Sequence, residues 1–335
     1  MHEENTRELY RLFKLYGAIP RLLLEKLFPP RPAHSEYIPR AISSYEQELS
    51  IKVNDMLRSG PHAFSTEQFG RNDSHTILVL QPTADEELRH ISSSACLTLA
   101  TRYIGWKIGC AGGERARVGG QVLYDWLLGT TEGRTAAGWV FEGRMHLILS
   151  SGGSFMARQL GQAKGRGRAI STQSSSTTWR IELKAGDHSF SSLSELGAML
   201  RAKPGSSDFN ICFLRKFLRP KMCILASIDG IAIITDPSGT NSQLQVIFFQ
   251  VTISPSHPMK SAGLQDAWEA LPAGLKGHPP IIVLTVPHEM AVAYKRQPIT
   301  PTAIDHPAKQ WCQYVVGVKN TQLWSVRFPY RKYQM

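Results

Sequence analysis

Hydrophobic positions recur at helical spacing from the start of the chain. Leu9, Leu12, Phe13 and Tyr16 share one face of a segment running from Glu3 to Tyr16, which predicts a helix there. Gly17 stops it, Pro20 opens a second helix over Arg21 to Phe28, and Pro29-Pro30-Arg31-Pro32 breaks that one. Ile42, Tyr45, Leu49, Val53 and Met56 predict an amphipathic helix over residues 41–58. Thr76 to Leu80 is a short β-type run ended by Gln81-Pro82, and Asp85 to Thr101 reads again as helix. Residues 1–110 are thus expected to form a mostly helical unit with one short strand.

A glycine-dense junction follows, at Gly109, Gly112, Gly113, Gly119 and Gly120. Beyond it, Val122 to Leu128 is apolar and aromatic, and Ala136 to Leu149 predicts a helix that Gly152-Gly153 ends. Residues 161–178 are rich in Gly, Ser, Thr, Arg and Lys and read as a mobile surface loop. From Met222 the pattern turns to β. Ile224 to Thr235 and Gln245 to Ile253 are strand candidates, with Asp236-Pro237-Ser238-Gly239 suited to a type I turn between them. A helix over Ser261 to Leu271, a buried strand over Pro280 to Val286 and a strand pair, Cys312 to Val318 and Leu323 to Phe328, complete the reading.

Composition narrows the class. Of the 335 residues 42% are hydrophobic and 19% charged, enough apolar content for a sizeable core in about two domains. The formal net charge is +11, and its placement matters more than its size. Residues 156–221 hold twelve Lys and Arg against four Asp and Glu, a surplus of eight that favours anionic partners. Five scattered cysteines without a C-x-x-C pair argue against a disulfide scaffold or a zinc ribbon and for a reducing compartment. The polar start Met1-His2-Glu3-Glu4-Asn5 is not a signal peptide, and no apolar run reaches membrane-spanning length. An intracellular protein, nuclear or cytoplasmic, is expected, with unconventional secretion to a host left open.

The sequence contains no G-x-x-x-x-G-K-[ST] loop, no G-x-G-x-x-G between strand and helix, no H-E-x-x-H and no G-x-S-x-G. Nucleotide hydrolysis, nicotinamide chemistry, zincin proteolysis and α/β-hydrolase chemistry lose their usual support, and no nucleotide cofactor is expected. Three polar residues instead stand against their local pattern. Glu142 follows Trp139-Val140-Phe141 in a helix, Asp229 interrupts an apolar strand, and Gln250 with Thr252 ends the strand after it. On that last strand Ile247, Phe249, Val251 and Ile253 make an apolar, core-facing side, while Val246, Phe248, Gln250 and Thr252 line the other. A charge in a buried strand needs a partner, a metal or a proton.

The succession of a helix with Glu142, a strand with Asp229, a hairpin, a strand ending in polar-x-polar, then helix and strand resembles the restriction-endonuclease-like (PD-(D/E)XK) core. Three local words narrow the resemblance: Ala136-Ala137-Gly138-Trp139-Val140-Phe141-Glu142 with His146 one turn on; Phe217-Leu218-Arg219-Pro220 before Ser227-Ile228-Asp229; and Phe249-Gln250-Val251-Thr252-Ile253-Ser254-Pro255-Ser256-His257-Pro258-Met259-Lys260. Together they resemble the nuclease-like domain of fungal Crinkler and retrotransposon hot spot (RHS) proteins, over roughly Gly120 to Val286. A weaker word, Leu12 to Arg21, looks like the end of the ATPase module that precedes that domain, and reads equally as a plain break between two helices. The organisation expected is therefore a helical region, residues 1–110, resembling the tail of a P-loop ATPase module without its Walker A loop, and an α/β (α+β) restriction-endonuclease-like domain, residues 111–335, with a mixed sheet flanked by helices and a basic loop at 156–221.

By this resemblance Asp229 would be the principal Mg²⁺ ligand, with Glu142 holding a ligand water or a second metal position. Gln250 falls where the acidic residue of the D/E-x-K pair belongs, and Thr252 falls where its lysine belongs. Lys260 would replace the missing cation, and His257 would orient or move a proton. Lys164, Arg166, Arg168, Arg180, Arg215, Lys216 and Arg219 would neutralise DNA or RNA phosphates. Trp179 and Phe190 read either as base-stacking residues or as core anchors. The resemblance implies nucleic-acid binding with Mg²⁺-dependent DNA cleavage if the site is active; the alternative is a catalytically inactive effector or interaction protein on the same fold. No membrane partner is expected, and the N-terminal helical region is the expected surface for a protein partner or self-association.

Overall fold

The computed structural model describes residue 16 and residues 37–60, 77–82, 95–111, 114–131, 133–161, 178–203, 207–221, 227–235, 243–300 and 307–325. Apart from Tyr16, the two helices expected within residues 3–28 lie outside the described residues, as do the basic run Lys164 to Arg168 and the turn at 236–239. By compactness the chain divides between Arg144 and Met145, whereas the sequence reading put its boundary at 110/111.

The first unit is built on helices α1 (Tyr37–Ser59), α2 (Arg102–Gly109), α3 (Glu114–Leu128) and α4 (Arg134–Ser150), the last of which carries the division. The α1 stripe Tyr45, Leu49, Val53, Met56 is buried as its spacing requires. Thr101 caps α2, its hydroxyl accepting the Ile104 N–H at 3.2 Å. Glu46 on α1 gathers the Tyr16 hydroxyl, the Tyr103 hydroxyl at 2.7 Å and the Lys107 ammonium at 2.5 Å. Burial, and then that carboxylate, hold the Tyr103 phenol far above its ordinary range.

Gly109, expected to mark a junction, instead lets helices touch, and Gly143 does the same from the other side. A Cβ on Gly109 would lie 2.5 Å from the Val140 carbonyl, and one on Gly143 would lie 2.6 Å from the Trp106 carbonyl, so α2 and α4 meet backbone to backbone. This contact joins α4 up to Arg144 to the helical unit.

One expectation here is corrected. Ala95–Leu99 is a strand, β2, paired antiparallel with β1 (Leu78–Pro82), where helix was expected over 85–101. A partner strand outweighs the weak local pattern of this segment. Residues 85–94 lie outside the described residues.

The second unit, Met145–Ser325, is organised by a closed seven-stranded mixed sheet. Its strands are β3 (Gly153–Gln159), β4 (Thr178–Phe190), β5 (Lys216–Pro220), β6 (Gly230–Thr235), β7 (Leu244–Val251), β9 (Ile281–Pro287) and β11 (Gln313–Val318), in the order β11-β3-β4-β5-β6-β7-β9. A two-residue pair, β8 (Met259–Lys260) with β10 (Ile299–Thr300), lies apart. The helices are α5 (Leu193–Leu200), α6 (Ser261–Ala270), α7 (His288–Ala291) and α8 (Asn320–Ser325). The β6–β7 hairpin forms in antiparallel register, Gly230 opposite Phe249 and Thr235 opposite Leu244; β7, β9 and β11 run parallel.

Both sides of the central strands are buried, which sharpens the one-sided reading of β7. Ile247 and Phe249 are buried, as expected of the core side. Val246 and Phe248 are equally buried, because Leu264 and Ala267 of α6 and Leu196 and Leu200 of α5 join them in one cluster. A strand buried on both faces reads as a continuous apolar run. The second correction is at the end of the chain: 320–325 is helix α8, where a strand was expected from Leu323. Strand β11 already has β3 on one side and β9 on the other, so no edge is open, and α8 buries Leu323 and Trp324.

Candidate functional site

The ends of β6 and β7 place Asp229 beside Gln250. Asp229 immediately precedes Gly230, its N–H bonding the Phe249 carbonyl at 2.8 Å, so its side chain emerges where the hairpin ladder ends. Asp229 and Gln250 are each only 4% exposed. One carboxylate oxygen, Oδ2, accepts two bonds: from Gln250 Nε2 at 2.8 Å and from the Val251 backbone N–H at 2.7 Å. Both donors sit on the strand that faces it. The buried charge has therefore found hydrogen-bond partners of the kind burial demands.

Of the neighbouring polar side chains, that of Thr252 is tied to backbone, while His257 and Lys260 are held through their backbone N–H groups. The buried Thr252 hydroxyl accepts the Ser254 N–H at 3.0 Å and forms a local turn as β7 ends. His257 is half-buried; its backbone N–H bonds Gln297 Oε1 at 2.6 Å, and its Nδ1 lies 3.5 Å from the Thr252 hydroxyl, at the outer limit of a hydrogen bond. Lys260 is exposed at the N-cap of α6, and its backbone N–H donates to Ser227 Oγ at 2.6 Å.

Sequence reasoning missed three supports of this region. Ser227 has φ 70°, a left-handed conformation rare for serine, and its hydroxyl ties the approach to β6 to the start of α6. Gln297 holds the loop after β7, and the fully buried Gln313 braces it in turn: its Oε1 accepts the Gln297 N–H at 2.8 Å, and its Nε2 donates to the Gln297 carbonyl at 2.9 Å. No local pattern distinguishes a glutamine used in this way from an exposed one.

Glu142 lies in the first unit. Arg102, itself half-buried, grips the buried Glu142 with two bonds, Nε to Oε2 at 2.8 Å and Nη2 to Oε1 at 2.6 Å, the bidentate geometry of a strong ion pair. Nothing in the sequence pointed to Arg102, forty positions away. The structure thus brings Asp229 and Gln250 into contact, keeps His257 on the loop that follows and Lys260 at the start of α6, and gives Glu142 a structural partner.

Divalent-metal chemistry asks for oxygen ligands free to turn to a cation. Here Gln250 presents its N–H₂ to Asp229, Thr252 stands in place of a lysine, and both Glu142 oxygens face a guanidinium. Gln250 Oε1 is buried with no hydrogen-bond partner, but a single amide oxygen whose N–H₂ is already bound to Asp229 falls short of the carboxylate set Mg²⁺ takes, and this donor set, as arranged, does not fit it. Among the described residues no group of three or more His, Cys, Asp or Glu side chains is placed to hold a metal ion.

The basic candidates separate in the same way. Arg180 is exposed on β4. Lys216 is half-buried on β5. Arg215, at φ 62°, reaches Glu182 at 3.4 Å and Thr235 at 3.2 Å; Arg219 pairs with Asp187 at 3.1 Å. Lys164, Arg166 and Arg168 lie outside the described residues. Trp179 and Phe190 are buried, the core-anchor alternative. Among the described residues no helix is long and apolar enough to cross a membrane. No protein-family model, curated protein or solved structure significantly matches the chain.

Proposed function

We propose that this chain is a nucleic-acid-binding protein of the Crinkler/RHS type, built on a restriction-endonuclease-like core that holds its ligand without cutting it. The observation that carries the reading is the 2.8 Å bond from Gln250 Nε2 to Asp229 Oδ2. An acidic residue at 250 would set a second carboxylate against the first, and the pair would need a cation or a shared proton. Glutamine removes that need, because its amide donates. The Asp229 carboxylate is met by hydrogen bonds where a nuclease carboxylate is met by metal.

Support for the core comes from the order of elements. α4 carries Glu142, Asp229 leads into β6, the hairpin brings β7 with Gln250 and Thr252, and α6 then leads to β9, parallel to β7. That is the succession on which the resemblance rests. Support for the ligand comes from the charge surplus of residues 156–221.

The test is incubation of the purified chain with supercoiled plasmid and with single-stranded DNA, in Mg²⁺ and in chelator. Intact substrate, with salt-dependent retention in both conditions, is expected. Cleavage in Mg²⁺ that Asp229→Ala abolishes would overturn the proposal in favour of an active nuclease.

A further inference from the structure

Strand β3 alternates over residues 154–157 and β4 over residues 178–184. Phe155, Ala157, Trp179, Ile181 and Leu183 are buried, while Ser154, Met156, Thr178, Arg180, Glu182 and Lys184 are exposed. Such alternation marks a sheet with one face in the core and one in water. Register places the exposed face on the side where the other strands are covered: Arg158 pairs with Val315, and Val315 belongs to the cluster under α5 and α6. Among the described residues of this unit the helical layer thus covers that side of β6, β7, β9 and β11 and leaves it bare on β3 and most of β4.

The bare face is cationic. Met156, 53% exposed, lies directly opposite Arg180. Lys184 lies directly opposite Lys216 of β5, where the register shifts at a bulge between Lys184 and His188. Like charges directly opposed across a ladder are destabilising, and a bound anion relieves that repulsion. The acids nearby are engaged: Glu182 takes Arg215 and Asp187 takes Arg219. Arg158 is engaged too. It donates to the carbonyls of Ala291, Val292 and Tyr294 and so pins to β3 a loop whose Val292 is 81% exposed.

We infer that the uncovered face of β3 and β4 is the docking surface for a single-stranded nucleic acid, with Arg180, Lys184 and Lys216 on its phosphates and Met156 against its bases. The inference rests on the nucleic-acid reading above and adds the place and the form of the ligand. Charge complementarity selects a polyanion. The exposed thioether beside the cations selects a single strand, whose unstacked bases offer apolar faces that a duplex keeps inside. Residues four apart on a strand lie about 13 Å apart, so Arg180 and the opposed pair Lys184 and Lys216 offer two points of positive charge along the ladder to an extended backbone.

The experiment is equilibrium binding of the full chain to a labelled single-stranded oligonucleotide of mixed sequence and to the same sequence as duplex, across a salt series. Wild type should prefer the single strand. R180Q/K184Q/K216Q should weaken single-strand binding at least tenfold at low salt and flatten the log–log salt slope by about 2, near 0.7 for each phosphate no longer neutralised. Met156→Ala should weaken binding without changing that slope. Unchanged affinity and slope in the triple variant, or equal affinity for the duplex, would overturn the inference while leaving nucleic-acid binding intact. Failure of wild type to bind either probe would overturn both readings. Thermal midpoints within a degree or two of wild type certify the folding of the variants, since every altered side chain but the half-buried Lys216 is exposed.

Discussion

Gln250 decides what Asp229 is for. In wild type the Asp229 carboxylate takes an amide N–H₂ and a backbone N–H from the strand beside it. Asp229→Ala would strand both donors in a buried setting, at about 1–3 kcal/mol each. A loss of about 2–6 kcal/mol in denaturant unfolding is expected; a loss below about 0.5 kcal/mol, under the usual worth of one hydrogen bond, would mean that these bonds carry little. Gln250→Glu is the sharper change. Two carboxylates then face each other, and one must hold a proton or share a cation. The thermal midpoint of this variant should fall as pH rises through the carboxylate range and should recover with millimolar Mg²⁺, whereas the wild-type midpoint should not respond to Mg²⁺. A wild-type midpoint that rises in Mg²⁺ would contradict the metal-free account of the pair.

Elements built on a strong repeat were readable before any coordinates. The α1 stripe follows from period, the helix expected over Ala136 to Leu149 forms as α4, and the β6–β7 hairpin follows from two β-type runs about the Asp236 to Gly239 turn signal. The elements that were misread depend on partners distant in sequence: β2 needs β1, and the last segment is helical because β11 has no open edge. Close packing of helices was equally hidden, since glycine in a loop and glycine under a neighbouring helix look alike in one sequence. Gly119→Ala tests that packing. Its Cβ would fall 1.9 Å from the Leu57 carbonyl oxygen, so α3 must move off α1. Destabilisation of about 1–3 kcal/mol, the usual range for overpacking, is expected in chemical unfolding. On β4, His188 meets Phe213 edge-on at 5.2 Å. Burial first, and Lys216 second, lower its pKa below 6.5, with Asp187 opposing. The unfolded chain therefore takes this proton more readily than the native one. The stability due to neutral His188 is complete above about pH 6.5 and is lost as pH falls through the lowered native value. Thermal midpoints measured from about pH 7.5 downward should drop less steeply in His188→Gln than in wild type; identical slopes would remove His188 from the acid response.

At the scale of the whole molecule the excess charge now has a location. Part of the basic surplus is structural: Arg215 and Arg219 hold acids, and Arg158 holds backbone carbonyls. Arg180, Lys184 and Lys216 remain on an uncovered sheet face. The polar residues of the candidate site stood out in the sequence because they broke an apolar pattern, and Asp229 and Gln250 do meet. Their chemistry was not legible, because it depends on which atom of Gln250 points at Asp229 and on Arg102 closing over Glu142. The central claim is that this chain holds nucleic acid without metal and leaves it whole. It is tested most directly by measuring the affinity for a labelled single strand in chelator and in Mg²⁺ at equal ionic strength, followed by recovery of the strand on a denaturing gel. Equal affinities and a full-length strand in both conditions are expected. Affinity that appears only with Mg²⁺, or a shortened strand in the Mg²⁺ sample that Asp229→Ala restores to full length, would contradict the claim.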